Sequence, residues 1–218
     1  MKKTTVLGQA SYIEDTDPPG KRAVLAAALA LFAEKGIDAT SVRDIGEAAG
    51  LTNPAMFKHF SGKEELALRL FERIFRRFRG VLPAIDERPF DLQLRDIIAA
   101  CLTFFDEDLG AALYFQENLR RLWPELSDDL RRQSVLAHFR ALLKVGAVQG
   151  AVSAGDDPQL LTALLAGVLG QLARQLFFRE MPGPALARLD ALHRLLLRSL
   201  APGGERTCIV ANPHERAQ

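Results

Sequence analysis

Ser41 and Ser61 each stand three residues before an acid, and Gly36 and Gly50 flank the first of these pairs. That spacing constrains the chain more than any other feature, because it dictates where short helices begin and end. Ser41-Val42-Arg43-Asp44 reads as a capping box: the serine hydroxyl accepts from a free amide of the first turn, and Asp44 reaches back to the serine amide. Val42, Ile45 and Ala49 follow at helical spacing. Gly50 can take the left-handed conformation that ends a helix without a side-chain clash. Leu51 is placed to fill the angle to a next helix, capped by Thr52 or Asn53, with Pro54 in the first turn where a missing amide costs little. Met56, Phe57 and Phe60 supply that helix's buried side, leaving Asn53, Ala55, Lys58 and His59 for its outer side or leading end. Ser61-Gly62-Lys63-Glu64 forms a second box, with serine as the cap, and opens a long helix through Leu66, Leu70, Phe71, Ile74, Phe75 and Phe78. Upstream, Val24, Leu25, Ala28, Leu31 and Phe32 make a first helix that stops at Gly36.

Two short helices around a tight turn can put a helix end into the major groove of DNA; an ordinary helical hairpin in a bundle has the same local pattern. The residues decide between them by a family resemblance. Ala33-Glu34-Lys35-Gly36, Thr40, Ser41-Val42-Arg43-Asp44-Ile45, Ala48-Ala49-Gly50-Leu51, His59-Phe60 and Lys63-Glu64-Glu65-Leu66 make residues 21–66 resemble the N-terminal domain of TetR/AcrR-type transcriptional regulators. The resemblance implies an all-α protein: an N-terminal three-helix helix-turn-helix DNA-binding domain joined to a larger helical ligand-binding and dimerisation domain. It also implies that Arg43, Asn53, Pro54, Ala55 and Lys58 face base edges or nearby backbone, that Phe57, His59 and Lys63 approach phosphates, and that Ser41 and Thr52 belong to the same DNA-facing set. Two positions depart from the family pattern. Phe57 replaces a usual tyrosine and so lacks the hydroxyl that would reach a phosphate, which should weaken binding somewhat or shift that contact to His59 and Lys63. Gly46 replaces a usual alanine, which costs about 1 kcal/mol inside a helix.

The whole chain of 218 residues carries a net charge of only +1. Residues 21–80, however, hold eleven Lys and Arg against seven Asp and Glu, whereas residues 81–218 hold fifteen against seventeen. The basic excess sits with the turn motif, as phosphate binding requires, and its modest size implies modest, salt-dependent non-specific affinity. The run Arg69, Arg73, Arg76, Arg77, Arg79 leads away from the motif and reads as a solvated helix face. Two cysteines, Cys101 and Cys208, lie far apart, consistent with a reducing cytoplasm. The histidines at 59, 138, 193 and 214 have no ligand spacing, so neither a metal nor another cofactor is expected. The most apolar stretch, 160–173, is interrupted by Thr162 and Gln171, and no membrane span is expected; nor does an apolar block follow the N-terminal lysines as a signal peptide would need. Residues 1–20 and 201–218 read as mobile tails, leaving 21–66 as the DNA-binding domain and 67–200 as the effector-binding and dimerisation domain.

Beyond Phe90 the pattern is helical, with candidate helices over 90–107, 110–122, 126–149, 157–180 and 184–199, separated by prolines. In 157–180, Ala163, Ala166, Gly167 and Gly170 line one side with small residues. In 184–199, Leu189, Leu192 and Leu196 form a stripe that Leu200 continues. Both stripes could pack within one chain; a symmetric operator requires two chains, and the family dimerises through such helices, so a homodimer interface at Ala163, Gly167, Gly170, Leu189, Leu192 and Leu196 is expected. Cys101, Phe104, Phe105, Tyr114, Phe115, Trp123, His138 and Phe139 concentrate in the middle helices. Any of them taken singly suits a core; the resemblance implies a pocket among them for a small apolar effector, with Cys101, Phe105, Phe115, Trp123 and His138 as its candidate wall.

The expected function is a cytoplasmic, dimeric, ligand-responsive repressor that binds a palindromic double-stranded operator. A helical lipid- or acyl-binding protein that keeps the fold without reading DNA is the alternative. An enzyme is not expected, since no carboxylate is paired with a His or Cys at catalytic spacing and no phosphate-cradling glycine loop occurs.

Overall fold

Each helix of the N-terminal region begins and ends where local chemistry requires it. Helix α1 (Pro19–Lys35) opens on a proline that loses no helical hydrogen bond there and ends at Gly36, whose φ is 83°. In α2 (Val42–Ala49) both halves of the capping box are made: Asp44 N–H donates to Ser41 Oγ at 3.1 Å, and Ser41 N–H to Asp44 Oδ2 at 3.0 Å. Gly50 ends α2 in the left-handed region, with φ 68°. These coordinates are a computed structural model, which describes residues 12–14, 16–52 and 58–202; all regular elements among them are helical. The helix expected over 52–60 falls largely on residues 53–57, outside the described residues.

Helix α3 (Lys63–Val81) starts with a box displaced by one residue from the expected one. Gly62 holds the cap position, and both the amide and the hydroxyl of Ser61 donate to Glu65 Oε2, at 2.7 and 2.6 Å. Glu65, not Glu64, is the third residue of the helix and therefore the one that can fold back.

The rest of the chain forms α4 (Phe90–Glu107), α5 (Leu109–Leu122), a 3₁₀ turn (Trp123–Glu125), α6 (Asp128–Arg132), α7 (Val135–Val148), α8 (Pro158–Phe177), a second 3₁₀ turn (Ala185–Arg188) and α9 (Leu189–Leu200). The single helix expected over 126–149 is two. Ser134 breaks it by capping α7, its Oγ accepting from Ala137 N–H at 3.0 Å.

Helix α5 is the hub: it packs on α1, α3, α4 and α8. Its fully buried Tyr114 stacks on Phe32 of α1 at 5.8 Å and donates its hydroxyl to Ala67 O of α3 at 2.9 Å. Phe115, one residue on, stacks against Phe71 of α3 at 4.9 Å. Helix α7 crosses α4 so closely that a Cβ on Gly146 would lie 2.5 Å from Val152 Cγ2 and 2.6 Å from Phe90 Cδ2.

Two sequence expectations are corrected here. The N-terminal tail does not extend to residue 20: Tyr12 is buried, and Asp17, also buried, is paired with Arg73 and with Lys21 at 2.8 Å. The arginine run of α3 is not simply solvated. Arg73 donates to Tyr12 O at 3.1 Å, Arg77 pairs with Glu107 at 2.7 Å and lies 4.9 Å from the Phe104 ring, and Arg79 donates to Gln133 O at 3.2 Å. Helix α8 is long and apolar enough to cross a bilayer by length and composition alone, as the core helix of a globular protein also can be. In the fold its Leu161, Leu165, Leu169 and Leu172 are buried in the helical core.

Candidate functional site

The turn between α2 and residue 52 is held from three sides. Leu51 N–H donates to Gly46 O at 2.9 Å, closing the glycine turn. The Lys35 ammonium on α1 donates to Asp44 Oδ2 at 2.7 Å. That bond, with the Ser41 amide second, holds the Asp44 carboxyl down at about 2. On the third side, Lys63 Nζ donates to Ile37 O and Thr40 O, each at 2.9 Å, tying the start of α3 to the α1–α2 loop. The same loop reaches the larger domain through Asp38 Oδ1, which accepts from Arg121 of α5 at 2.6 Å.

The expected DNA-facing residues divide accordingly. Ser41 spends its lone pair on the α2 amide and keeps its O–H for an external acceptor. Arg43 is exposed and, among the described residues, paired only with Glu47, at 2.8 Å and four residues along the same helix. Such a pair is weak in water and exchanges readily for a phosphate or base. Thr52 and Lys58 are exposed, while His59 is half-buried over the first turn of α1, where a Cβ on Gly20 would come within 3.2 Å of its Nε2. Lys63 has two of its three ammonium protons committed to backbone carbonyls. Asn53, Pro54, Ala55 and Phe57 lie outside the described residues. The Lys63 and Arg121 ties were not foreseen, since their partners lie 26 and 83 residues away and nothing local signals them.

The larger domain encloses a cavity of about 900 Å³ between α4, α5, α7, α8 and the end of α3. Phe105, Phe115 and Trp123 of the expected wall line it, joined by Phe78, Phe104 and Phe139. Cys101 and His138 do not. Cys101 is wholly buried elsewhere on α4, and burial pushes its thiol up to about 12. His138 is buried with Nε2 unpaired; burial first, and Arg79 second, hold its imidazole below the ordinary range. The cavity also takes in polar groups not foreseen from the sequence, among them Gln116, Arg120 and Arg140.

The small residues of α8 serve this cavity. Gly167 and Gly170 line it, and a Cβ on Gly170 would meet Gln116 Oε1 at 3.4 Å. Ala163 is exposed. Leu189 is half-buried, whereas Leu192 and Leu196 are buried in the chain's own core on α9, which packs against α4. Those two leucines are therefore not available as a contact surface. The outward large apolar positions of this region are Leu160, Leu164, Phe178, Leu186 and Leu195.

Residues 24–70 match the family model described as bacterial regulatory proteins, tetR family. The HTH-type transcriptional regulator Mb3439c of Mycobacterium bovis is 31% identical over 127 residues, covering 55% of this chain and 68% of that protein. The HTH-type transcriptional repressor KstR2 of Mycobacterium tuberculosis is 31% identical over 103 residues, covering 45% of this chain and 50% of the repressor. The chain thus spans about half the length of the curated relatives it matches first. The solved structure of the ketosteroid transcriptional regulator KstR2 of the same organism superposes with a TM-score of 0.70 over 91% of this chain and 100% of that one, at 21% identity, a likeness of fold.

Proposed function

The chain belongs to the tetR family of bacterial regulatory proteins, and from that premise we propose that it is a DNA-binding transcriptional regulator, acting as a dimeric, ligand-responsive repressor on a palindromic operator in the cytoplasm. The observation that carries this reading is the fully made capping box of α2 followed by the left-handed Gly50. The box fixes where α2 begins, and Gly50 with the Leu51 N–H bond to Gly46 O fixes the turn at its end, the kind of turn a helix-turn-helix needs between its two helices. Arg43 on α2, Thr52 just after the turn, and Lys58 are all exposed. They supply the cations and hydroxyl suited to phosphates and base edges.

Effector control follows from α5. One face of α5 fixes Tyr114 against α1 and α3, while Gln116, Leu119 and Arg120 line the cavity. Its last turn holds the α1–α2 loop through Arg121. A ligand that binds better when α5 is displaced would move the DNA-binding ends of a dimer out of the half-site spacing of roughly 34–36 Å. Binding must differ between the two arrangements for this to happen.

The test is selection of duplexes from a random DNA pool by the purified chain. Enrichment of an inverted repeat supports the reading. Recovery of no enriched sequence contradicts it and leaves a ligand-binding protein that keeps the fold without reading DNA.

A further inference from the structure

The wall of the cavity is not uniformly apolar, and its polarity has one sign. Four arginines line it, Arg120, Arg131, Arg140 and Arg174, and no Asp or Glu does. Two of the four are neutralised from outside the wall: Arg131 by Asp128, and Arg174 by Glu117 at 3.1 Å. Arg120 and Arg140 have no ion-pair partner among the described residues. Both are exposed, as are Leu119, next to Arg120, and Leu136, one helical turn before Arg140, so these exposed lining residues mark where the cavity opens. Phe104 and Phe139 are buried, so the opposite end is deep and aromatic. A site that is apolar at depth and cationic at its mouth matches a ligand with an apolar tail and an anionic head. A neutral ligand would take two guanidinium groups partly out of water with nothing to pair them.

We propose that this cavity takes an amphipathic acid, its alkyl chain among Phe104, Phe115 and Phe139 and its carboxylate or phosphate at Arg120 and Arg140. The site sharpens the small apolar effector expected from the sequence into an anion-headed one, and it rests on the effector half of the proposed function. The volume of about 900 Å³ lies within the range of small-molecule sites and leaves room for a long chain.

Trp123 is the single tryptophan of the chain and lines the cavity, so its fluorescence reports occupancy directly. The full-length protein is titrated with laurate, dodecyl phosphate and 1-dodecanol, which share a tail and differ in the head. At least one acid is expected to bind about tenfold or more tighter than the alcohol, the advantage expected of a charge-assisted contact. The tighter acid identifies the head as carboxylate or phosphate. Arg120→Gln with Arg140→Gln is expected to abolish that advantage while leaving dodecanol affinity unchanged, and the paired lysine substitutions to retain most of it. Equal affinity for all three probes, or an undiminished acid preference in the glutamine variant, overturns the anionic head site and leaves an apolar effector cavity standing. No fluorescence response to any probe overturns both this inference and the effector half of the proposed function. Selection of an inverted repeat with the same preparation separates that outcome from failure of the DNA-binding reading.

Discussion

Gly146 shows how a single residue can hold two elements in contact. It has no unusual φ; it is required because Phe90 and Val152 occupy the space a side chain would take, within 2.6 Å of its Cβ position. Gly146→Ala is expected to destabilise the protein by about 1–3 kcal/mol through overpacking, measured as a lower urea midpoint with an unchanged slope. At the other end of the molecule, Asp44 carries the charge that closes the α2 cap. Its carboxyl is lowered from an ordinary 3.8 to about 2, so its contribution is complete above about 4 and is lost as pH falls through about 2. An NMR titration should place its midpoint near 2, and Lys35→Met should move it up toward the ordinary value; an unchanged midpoint in that variant would refute the Lys35 bond as the main cause. Residues of this kind divide cleanly by legibility. The Ser41–Asp44 box could be read in the sequence because both partners lie within one turn. The need for glycine at 146 could not, because it is set by a phenylalanine 56 positions away.

At the scale of elements, hydrophobic spacing located the helices and polar caps set their ends. The bounds of α4 matched the expectation, and the long helix over 126–149 failed only because Ser134 offers a cap in its interior. What spacing cannot reveal is which neighbour an apolar stripe meets. The Leu192 and Leu196 stripe packs inward, and Gly167 and Gly170 of α8 line the cavity, since apolar periodicity fixes a face but not its partner. Lys63 illustrates the same gap. The family resemblance implies a phosphate contact for it, while its ammonium is bound by the carbonyls of Ile37 and Thr40. Lys63→Ala is therefore expected to lower the thermal midpoint and weaken DNA binding while changing the salt slope by less than the value of about 1 that marks loss of a phosphate contact. A full unit of slope at unchanged stability would restore the direct role.

At the scale of the whole molecule, the proposed regulator joins a DNA-reading end, a cavity and a second copy of the chain. Exposed Leu160 and Leu164 on α8 and Leu186 on the following 3₁₀ turn are the proposed surface for that copy, since Leu192 and Leu196 are buried in the chain's own core. Leu160→Glu with Leu186→Glu is expected to leave the helical content unchanged and shift the protein toward monomer in sedimentation; a dimer of undiminished stability would place the interface elsewhere. Operator affinity should fall with the dimer, because each half-site then binds alone. The most direct measurement is the mass, by light scattering, of the complex formed on a duplex carrying the selected sequence. An even number of chains on the inverted repeat, with much weaker binding to an isolated half-site, is the predicted result; one chain per duplex, bound equally well by half-site and full site, would contradict the account.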